Sequence, residues 1–418
     1  MRFSFAHLAD LHLDTPFHGL RDVNKGLADT LRDASLAAWD AAVDACLAAG
    51  VDFVVVAGDV YDSEVAGVRA QLRFRDGLAR LSAAGVASFV VHGNHDPRGG
   101  RWPAVSEWPP LVTLFGHDAV RAAPVVRGAE TLALVHGLSF AEPEVSENLA
   151  LRFARDPGFA GFQVGLLHAN VAGLGGHDNY APTTMADLRA AGLDYWALGH
   201  VHTRAVLQER DPVVVYPGNL QARHAGERGE RGFYLVHVED GRATLEFVDV
   251  GLVRFDDVTI DIAGLADVDA VHAALAAAVA PAGAAHTHVL RAELRGAGPA
   301  NAALRAGGEQ GLTDYLRDTA PPNVWWEEVR LSTRPPMDRA ARLAAGDFVA
   351  DLLRRSDAGR PEAARAVAAL ARQLNDHPHL RPVAALLDLA SFEADAGAIW
   401  DEAEALALDL LDVGYREA

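Results

Sequence analysis

Five apolar runs in the first half of the chain predict buried β-strands, and polar residues follow each of them. The runs are Phe3–Leu8, Phe53–Val56, Phe89–Val91, Val164–Leu167 and Tyr195–Leu198. Apolar residues recur at spacings of three and four over Ala34–Ala48 and Val68–Leu81, which predicts two helices between the early strands. Later runs at Val213–Tyr216 and Gly232–Val238 have no helix between them, which predicts a change to antiparallel pairing. The pattern is typical of a layered α/β sandwich with a mixed sheet.

The same pattern predicts three parts in the chain. Residues 1–250 contain the alternating strands and helices described above. Residues 251–334 read as strand, helix, strand, helix and strand, which predicts a small α/β module. The chain is helical in pattern over residues 335–418, and an Arg-Pro-Pro sequence ending at Pro336 marks the joint.

Residue types that bind metals follow all five predicted strands. They are Asp10 and His12, Asp59, Asn94 with His95, His168, and His200 with His202. Each motif alone has an ordinary explanation, because Gly-Asp is a common turn and a lone histidine is usually a core residue. Five motifs in a consistent order, each after a buried strand, are much harder to explain by chance. The set as a whole predicts a metal site at one edge of the sheet.

The ligand types predict two metal ions that share one carboxylate. One coordination sphere would contain Asp10, His12, Asp59 and His202, and the other would contain Asp59, Asn94, His168 and His200. A bridging carboxylate, here that of Asp59, reduces the repulsion between two cations that lie close together. Oxygen and imidazole ligands without thiolate favour manganese, iron or zinc over magnesium. Such a pair lowers the pKa of a shared water towards neutrality, which predicts a hydroxide that attacks phosphorus.

His95 follows a predicted ligand and is expected to face the substrate instead of a metal. It would steady the reacting phosphate or protonate the leaving oxygen. A carboxylate on its other ring nitrogen would hold it in place, and Asp62 is the first choice, with Asp96 as the alternative. Tyr180, Arg223 and His224 are candidates for substrate binding, although a role in holding the loops is equally open.

Composition changes this picture only in part. The chain has 418 residues, a net charge of −20 and a single cysteine, Cys46. The chain has no second cysteine with which to form a disulfide and no apolar run long enough for a membrane helix. A predicted strand begins directly after Met1, where a signal peptide would lie. We therefore expect a cytoplasmic protein with no membrane partner. The negative charge argues mildly against nucleic acid. Arginine clusters at Arg69, Arg73 and Arg75 and at Arg223, Arg228 and Arg231 could offset it locally, although such clusters are also typical of solvated surface.

The five motifs resemble those of the calcineurin-like metallophosphoesterase superfamily. Within it, the chain resembles the SbcD-type DNA-repair nucleases and, more narrowly, their YhaO-like subgroup. The narrower resemblance rests on four segments that cover roughly residues 1–240. They are His7 to Phe17 (HLADLHLDTPF), Val68 to Gln71 (VRAQ), His177 to Pro182 (HDNYAP) and Tyr216 to His224 (YPGNLQARH).

The resemblance implies a four-layer β-sandwich flanked by helices, followed by a small α/β capping domain over 251–334. It also implies two divalent metal ions, Mn²⁺ in particular, and cleavage of DNA phosphodiester bonds. The implied partners are DNA, an SbcC-type coiled-coil ATPase that the 335–418 helices would contact, and a second copy of the chain. Some relatives carry a histidine where Asp62 stands, so the resemblance leaves the role of Asp62 open.

Two other functions fit the same motifs. A phosphomonoesterase or a small-molecule phosphodiesterase acting on nucleotides would use the same metal centre. A non-enzymatic scaffold for the ATPase is the third hypothesis, although the complete ligand set counts against it. An enclosed pocket with aromatic residues would favour a nucleotide substrate, and an open groove would favour DNA.

Overall fold

The computed structural model describes residues 2–15, 25–62, 67–98, 105–171, 180–279, 286–376 and 396–411. This part of the chain is a mixed α/β structure with two six-stranded sheets and one three-stranded sheet. No helix within these ranges is long and apolar enough to cross a membrane.

The strands and helices have the following bounds. The strands are β1 Arg2–Leu8, β2 Phe53–Ala57, β3 Ala87–Val91, β4 Val112–Leu114, β5 Arg121–Arg127, β6 Glu130–Leu138, β7 Phe162–His168, β8 Tyr195–Gly199, β9 Ala205–Glu209, β10 Val213–Tyr216, β11 Gly232–Glu239, β12 Arg242–Asp249, β13 Val253–Asp261, β14 Thr287–Ala297 and β15 Val324–Arg334. The helices are α1 Lys25–Ala49, α2 Val68–Ala83, α3 Met185–Ala190, α4 Val268–Val279, α5 Asn301–Thr319, α6 Arg339–Ala344, α7 Phe348–Gly359, α8 Ala363–Asp376 and α9 Ala396–Leu410.

The two large sheets share a topology that brings strand ends together. The first has the order β12-β11-β1-β2-β3-β4, and the second has the order β5-β6-β7-β8-β10-β9. Strands β1 to β4 run parallel to one another, as do β6, β7, β8 and β10. Because parallel strands end at the same edge of a sheet, the residues that follow them are neighbours.

Apolar side chains fill three layers around these sheets. Between the sheets, the rings of Phe5 and Phe53 stack with centroids 4.7 Å apart, and Tyr195 packs edge-on against Phe5. On the outer face of the first sheet lies a core that includes Trp39 of α1 and Phe74 of α2. A third core covers the outer face of the second sheet. Burial of each large side chain stabilises the fold by roughly 1.5–3 kcal/mol. The sheets are therefore pressed together by helices on both outer faces, as the predicted sandwich requires.

The structure confirms the predicted α/β class and the predicted switch to antiparallel pairing. β11 pairs antiparallel with β1, and β10 pairs antiparallel with β9. β10 also keeps a parallel pairing with β8, because β9, which the sequence did not predict, takes the edge of the sheet and leaves β10 between itself and β8.

The chain divides into two compact units. The first contains Met1–Asp256, Ala282–Leu290 and Ala320–Glu327, and the second contains the segments between and after them. Both six-stranded sheets and every predicted metal ligand lie in the first unit. In the second unit, α6, α7 and α9 surround a small core formed by Val349, Leu353 and Leu408.

Candidate metal centre

Strand ends from both large sheets supply the predicted metal ligands. From the first sheet, Asp10 and His12 follow β1, Asp59 follows β2 and Asn94 follows β3. From the second sheet, His168 is the last residue of β7, and His200 and His202 follow β8. The structure therefore brings all seven predicted ligands to one edge of the sandwich, with neither sheet holding a complete set.

Four of these residues have an unusual backbone conformation. The φ angles are 51° at Asp10, 42° at His12, 48° at Asp59 and 101° at His200. Non-glycine residues in such conformations typically cost about 1–3 kcal/mol each and persist where surrounding contacts fix them. Here the amide of Asp10 donates to the carbonyl of Gly58 (3.1 Å), and the amide of His12 donates to that of Asp59 (3.0 Å). The loops are held in their strained form by one another.

Two glycines make room for the ligands. A Cβ atom on Gly58, whose φ is 90°, would lie 2.5 Å from Nδ1 of His168. A Cβ atom on Gly93 would lie 2.8 Å from Cε1 and Nε2 of His168 and closer still to a carboxylate oxygen of Asp59. Both positions need glycine because the ligand side chains occupy the space of a Cβ atom.

Asp10, His12 and His202 form the first ligand group, with atoms within 4.8 Å of one another. Nε2 of His12 lies 3.1 Å from Nε2 of His202. Each ring donates its Nδ1 proton to a carboxylate, to Asp62 at 2.8 Å from His12 and to Glu227 at 2.6 Å from His202. The two Nε2 atoms are at hydrogen-bond distance from each other, and with both Nδ1 atoms bonded to carboxylates they could also bind one cation together. This donor geometry fits a divalent metal ion.

Asp10, Asp59 and His168 form the second group. His168 donates its Nδ1 proton to the carbonyl of Ala57 (2.9 Å), so its Nε2 faces Oδ1 of Asn94 at 3.0 Å and Oδ2 of Asp59 at 3.3 Å. The ring of His200 lies beside it, with centroids 5.2 Å apart. Oxygen and imidazole donors converge here without a thiolate, as the sequence predicted, and they fit a second cation of the same class.

Asp59 lies between the two groups. Its Oδ2 is 3.3 Å from Nε2 of His168 and 3.8 Å from Nε2 of His12, while its Oδ1 accepts a hydrogen bond from the amide of His95. Burial alone would raise the pKa of Asp59, but the charge of His168 and its hydrogen bond hold that pKa well below the usual range. The carboxylate is in the position that a bridging ligand requires, and bridging itself stays a prediction.

Asp62 joins His95 to the first ligand group. Its Oδ1 accepts from Nδ1 of His95 and from Nδ1 of His12, both at 2.8 Å. Its Oδ2 accepts from the hydroxyl of Thr15 (2.7 Å) and from the guanidinium of Arg223 (2.9 Å). The hydrogen bond to Asp62 raises the pKa of His95. Against the effect of burial, the two histidines hold the pKa of Asp62 far below its usual range.

The alternative partner predicted for His95 has a different position. Asp96 accepts hydrogen bonds from the amide of Val60 (2.9 Å), the amide of Gly93 (2.8 Å) and Nδ1 of His92 (3.1 Å). It therefore ties the loop after β2 to the loop after β3. Of the two candidates, Asp62 is the one that contacts His95.

The three candidates for substrate binding differ in their surroundings. Arg223 is committed to Asp62, and the ring of Tyr180 lies 6.0 Å from that of His200. His224 is exposed, and its Nδ1 accepts from the amide of Gly226. Their role in binding stays a prediction. The preceding residues 172–179, which include His177, lie outside the described residues.

Glu227 is a residue of the site that the sequence did not reveal. It lies four positions after Arg223, the first residue of the later arginine cluster, and belongs to no recognisable motif. Its carboxylate bonds to the predicted ligand His202, and this bond overcomes the effect of burial to lower the pKa of Glu227 to about 2. The one signal available was an acidic residue close after the Gly-Asn motif, which is too common to single out.

The arginine cluster after β2 is neutralised. Arg69 pairs with Asp33 and Asp14, and Arg73 pairs with Asp40. These aspartates, apart from Asp14, lie on α1, so the two helices form a ladder of opposite charges. Arg75 pairs with the adjacent Asp76. In the later cluster, Arg231 is buried and donates to the carbonyl of His202. Among the described contacts, Arg69, Arg73, Arg75 and Arg231 are therefore engaged with other groups of the protein.

Two protein-family models match the chain. The calcineurin-like phosphoesterase model matches residues 3–204, which include all seven predicted ligands. The model described as "Metallophosphoesterase YhaO, middle domain" matches residues 255–334. The first match lies within the two large sheets, and the second covers most of the three-stranded sheet.

Curated relatives are similar over between about half and two thirds of the chain. The chain is 38% identical to "Uncharacterized metallophosphoesterase YhaO" of Bacillus subtilis (strain 168) over 62% of its length and 63% of the relative's. It is 27% identical to "DNA double-strand break repair protein Mre11" of Thermoplasma acidophilum over 52% of its length and 59% of the relative's. It is 28% identical to the Mre11 of Haloferax volcanii over 56% of its length and 51% of the relative's. The matches thus span between about half and two thirds of the relatives' lengths.

Proposed function

Because the chain belongs to the calcineurin-like phosphoesterases through residues 3–204, we propose that it is a cytoplasmic two-metal phosphodiesterase that cleaves DNA. The family and the ligand groups support a metal-dependent phosphoesterase. The narrower steps, which are DNA as substrate, Mn²⁺ as metal and an ATPase partner, are proposals.

One observation carries the chemistry. The Nε2 lone pairs of His12 and His202 face each other beside two buried carboxylates, and His95 lies next to them on the same carboxylate as His12. Bound cations would supply the positive charge that acidifies a water nucleophile and stabilises the charge on phosphate oxygens. His95, whose side chain is 42% exposed, would then hold the phosphate or give a proton from Nε2 to the leaving oxygen, because Asp62 occupies its Nδ1.

The names of two relatives favour DNA as the substrate, whereas the charge of the chain limits its affinity for DNA. Both Mre11 relatives are named as DNA double-strand break repair proteins. The net charge is −20, and the arginines of α2 are paired with aspartates. Few phosphates would therefore be neutralised by this chain, and its DNA affinity would depend only weakly on salt. A partner that supplies further DNA contacts fits this balance.

An SbcC-type ATPase is the partner we propose. The described C-terminal helices expose large apolar side chains, with Phe348 70% exposed, Leu370 58% and Leu406 61%. Exposed apolar residues on amphipathic helices are typical of docking segments. Phe348→Asp and Leu370→Asp are expected to weaken co-purification with a co-expressed SbcC-type ATPase, whereas hydrolysis of a small diester stays unchanged. Co-purification at wild-type yield would remove these helices from the interface.

Hydrolysis by the purified, Mn²⁺-loaded protein tests the catalytic proposal. The substrates are linear duplex DNA, single-stranded DNA, bis-p-nitrophenyl phosphate and the monoester p-nitrophenyl phosphate. We expect cleavage of DNA and the diester, lost in Asp59→Ala and reduced about 100-fold or more in His95→Ala. His117→Ala is the matched control, because that histidine is similarly exposed and pairs with the adjacent Asp118.

The alternatives correspond to different results. Activity on the monoester alone would replace the nuclease proposal with a phosphomonoesterase. Hydrolysis of bis-p-nitrophenyl phosphate without DNA cleavage would favour a small-molecule phosphodiesterase. Absence of hydrolysis with the ATPase present as well as absent would favour the scaffold.

A further inference from the structure

The buried carboxylate of Glu227 accepts three hydrogen bonds, and their donors belong to two different parts of the site. Its side chain is 9% exposed and lies in the segment between β10 and β11. Oε1 accepts from Nδ1 of His202 at 2.6 Å. Oε2 accepts from the side-chain amide of Asn219 at 2.9 Å and from the backbone amide of Arg223 at 2.6 Å. Both oxygens are thus used, and a buried carboxylate without such donors would be strongly destabilising.

The first contact sets the state of His202. A hydrogen bond from Nδ1 to a carboxylate keeps the proton on that nitrogen and leaves the lone pair on Nε2. Nε2 of His202 then faces Nε2 of His12 at 3.1 Å. Without the carboxylate, the ring could carry its proton on Nε2 or turn away, and either change removes a donor from the first ligand group.

The second contact holds the loop that carries Arg223. The guanidinium of Arg223 donates to Oδ2 of Asp62, whose Oδ1 accepts from both His12 and His95. Glu227 therefore closes a ring of contacts through His202, His12, Asp62 and Arg223. Each member of the ring is held from two sides.

We propose that Glu227 is a positioning residue of the metal centre, which presents Nε2 of His202 to a metal ion and fixes the Arg223 loop beside Asp62. This role rests on the metal site of the proposed function and is independent of the substrate. Removal of a carboxylate that holds a metal-binding histidine typically weakens metal binding by about 10- to 100-fold. The loss should affect one of the two sites, because the second ligand group has no contact with Glu227 among those described.

Mn²⁺ titration of the full chain, followed by the electron paramagnetic resonance signal of free Mn²⁺, tests the role without reference to activity. We expect two sites in the wild type. In Glu227→Gln one site should weaken about 10- to 100-fold, because glutamine offers one acceptor oxygen and places an amide where a donor now points. Glu227→Asp keeps the charge and should lose less affinity. Glu230→Gln is the matched control, since Glu230 is half-exposed and pairs with Arg204 at the surface.

Two further variants separate the mechanism from a general loss of structure. In a His202→Ala background, Glu227→Gln should lose much less Mn²⁺ affinity than it does in the wild type, since the ligand it presents is already absent. Arg223→Ala should weaken the first site by less than Glu227→Gln does, because Asp62 loses one donor while His202 keeps its carboxylate partner.

Several results would overturn the role of Glu227. These are wild-type affinities at both sites in Glu227→Gln, an equal loss in Glu230→Gln, and a full additional loss in the His202→Ala background. A wild type that binds two Mn²⁺ ions but cleaves neither DNA nor the diester refutes the proposed function instead. The role of Glu227 is then still decided by the affinities alone.

Discussion

Gly93→Ala is the smallest change that should disable the metal centre. The backbone of Gly93 does not have a positive φ, so alanine can adopt its conformation. The added methyl group would lie 2.8 Å from Nε2 of His168, about 0.6 Å short of the 3.4 Å at which ordinary contact begins, and it would overlap Asp59 more severely. Both ligands must therefore move by more than half an ångström.

The expected losses follow from these displacements. Overpacking of a buried site costs about 1–3 kcal/mol of folding stability, which most domains of this size tolerate. Displacement of two ligands should weaken Mn²⁺ binding at least about tenfold, and misplacement of reacting groups by about 1 Å can reduce turnover about 100-fold. The assays are isothermal titration with Mn²⁺, turnover of bis-p-nitrophenyl phosphate and urea unfolding of the chelated protein.

Gly116→Ala is the control for the effect of an added methyl group. Gly116 also lacks a positive φ, and a Cβ atom there would have no neighbour within 4 Å. This variant should match the wild type in all three assays. Wild-type Mn²⁺ affinity and turnover in Gly93→Ala would show that the contact of Gly93 with the two ligands does not set the geometry of the site.

Three other predictions concern titration and loop structure. Burial lowers the pKa of His7 from 6.5 to about 3, so the stability that neutral His7 contributes is present above pH 6.5 and is lost as the pH falls towards 3. Between pH 7 and 5.5 the wild type should lose about 1.3 kcal/mol more than His7→Gln in urea unfolding, and parallel losses would contradict this. Asp96→Asn should cost about 1–3 kcal/mol in the same assay, because two buried loop amides lose their shared carboxylate, whereas exposed Asp76→Asn should cost nothing measurable. Although burial alone would lower it, the charge of Asp59 raises the pKa of His168 to about 9. Mn²⁺ binding to the chelated protein at pH 7.5 should therefore release a proton, seen as a binding heat that depends on the buffer's ionisation heat; equal heats in two buffers would rule it out.

The sequence was sufficient for the five strands that precede the predicted ligands and for the shared edge at which those residues lie, because both are properties of local pattern and chain order. A buried strand needs a short apolar run, and parallel strands must present their following residues at one edge. The positions of Asp10, Asp59 and His168 thus needed no knowledge of long-range contacts. The pairing of Asp62 with His95 could also be predicted. His95 follows the predicted ligand Asn94 by one position, and Asp62 follows the predicted ligand Asp59 by three.

Long-range pairing was beyond the sequence. Glu227 bonds to His202 across 25 positions, and no periodicity connects the two. The edge strand β9 is mostly half-buried and polar in part, so it lacks the apolar run that revealed β10. Asp33 and Asp40 of α1, which pair with Arg69 and Arg73, lie more than 30 positions away from them, and a free and a neutralised arginine look the same in a sequence.

The division of ligands between two sheets has a consequence for how the protein is made. Asp10 and His12 leave the ribosome early, but His202 follows 190 positions after His12. At 5–20 residues per second, synthesis of that stretch takes about 10 to 40 s. During this time the first ligand group lacks His202, and the second group lacks His168 for most of it. We therefore expect complete metal sites to form only after both sheets have been made and have packed together.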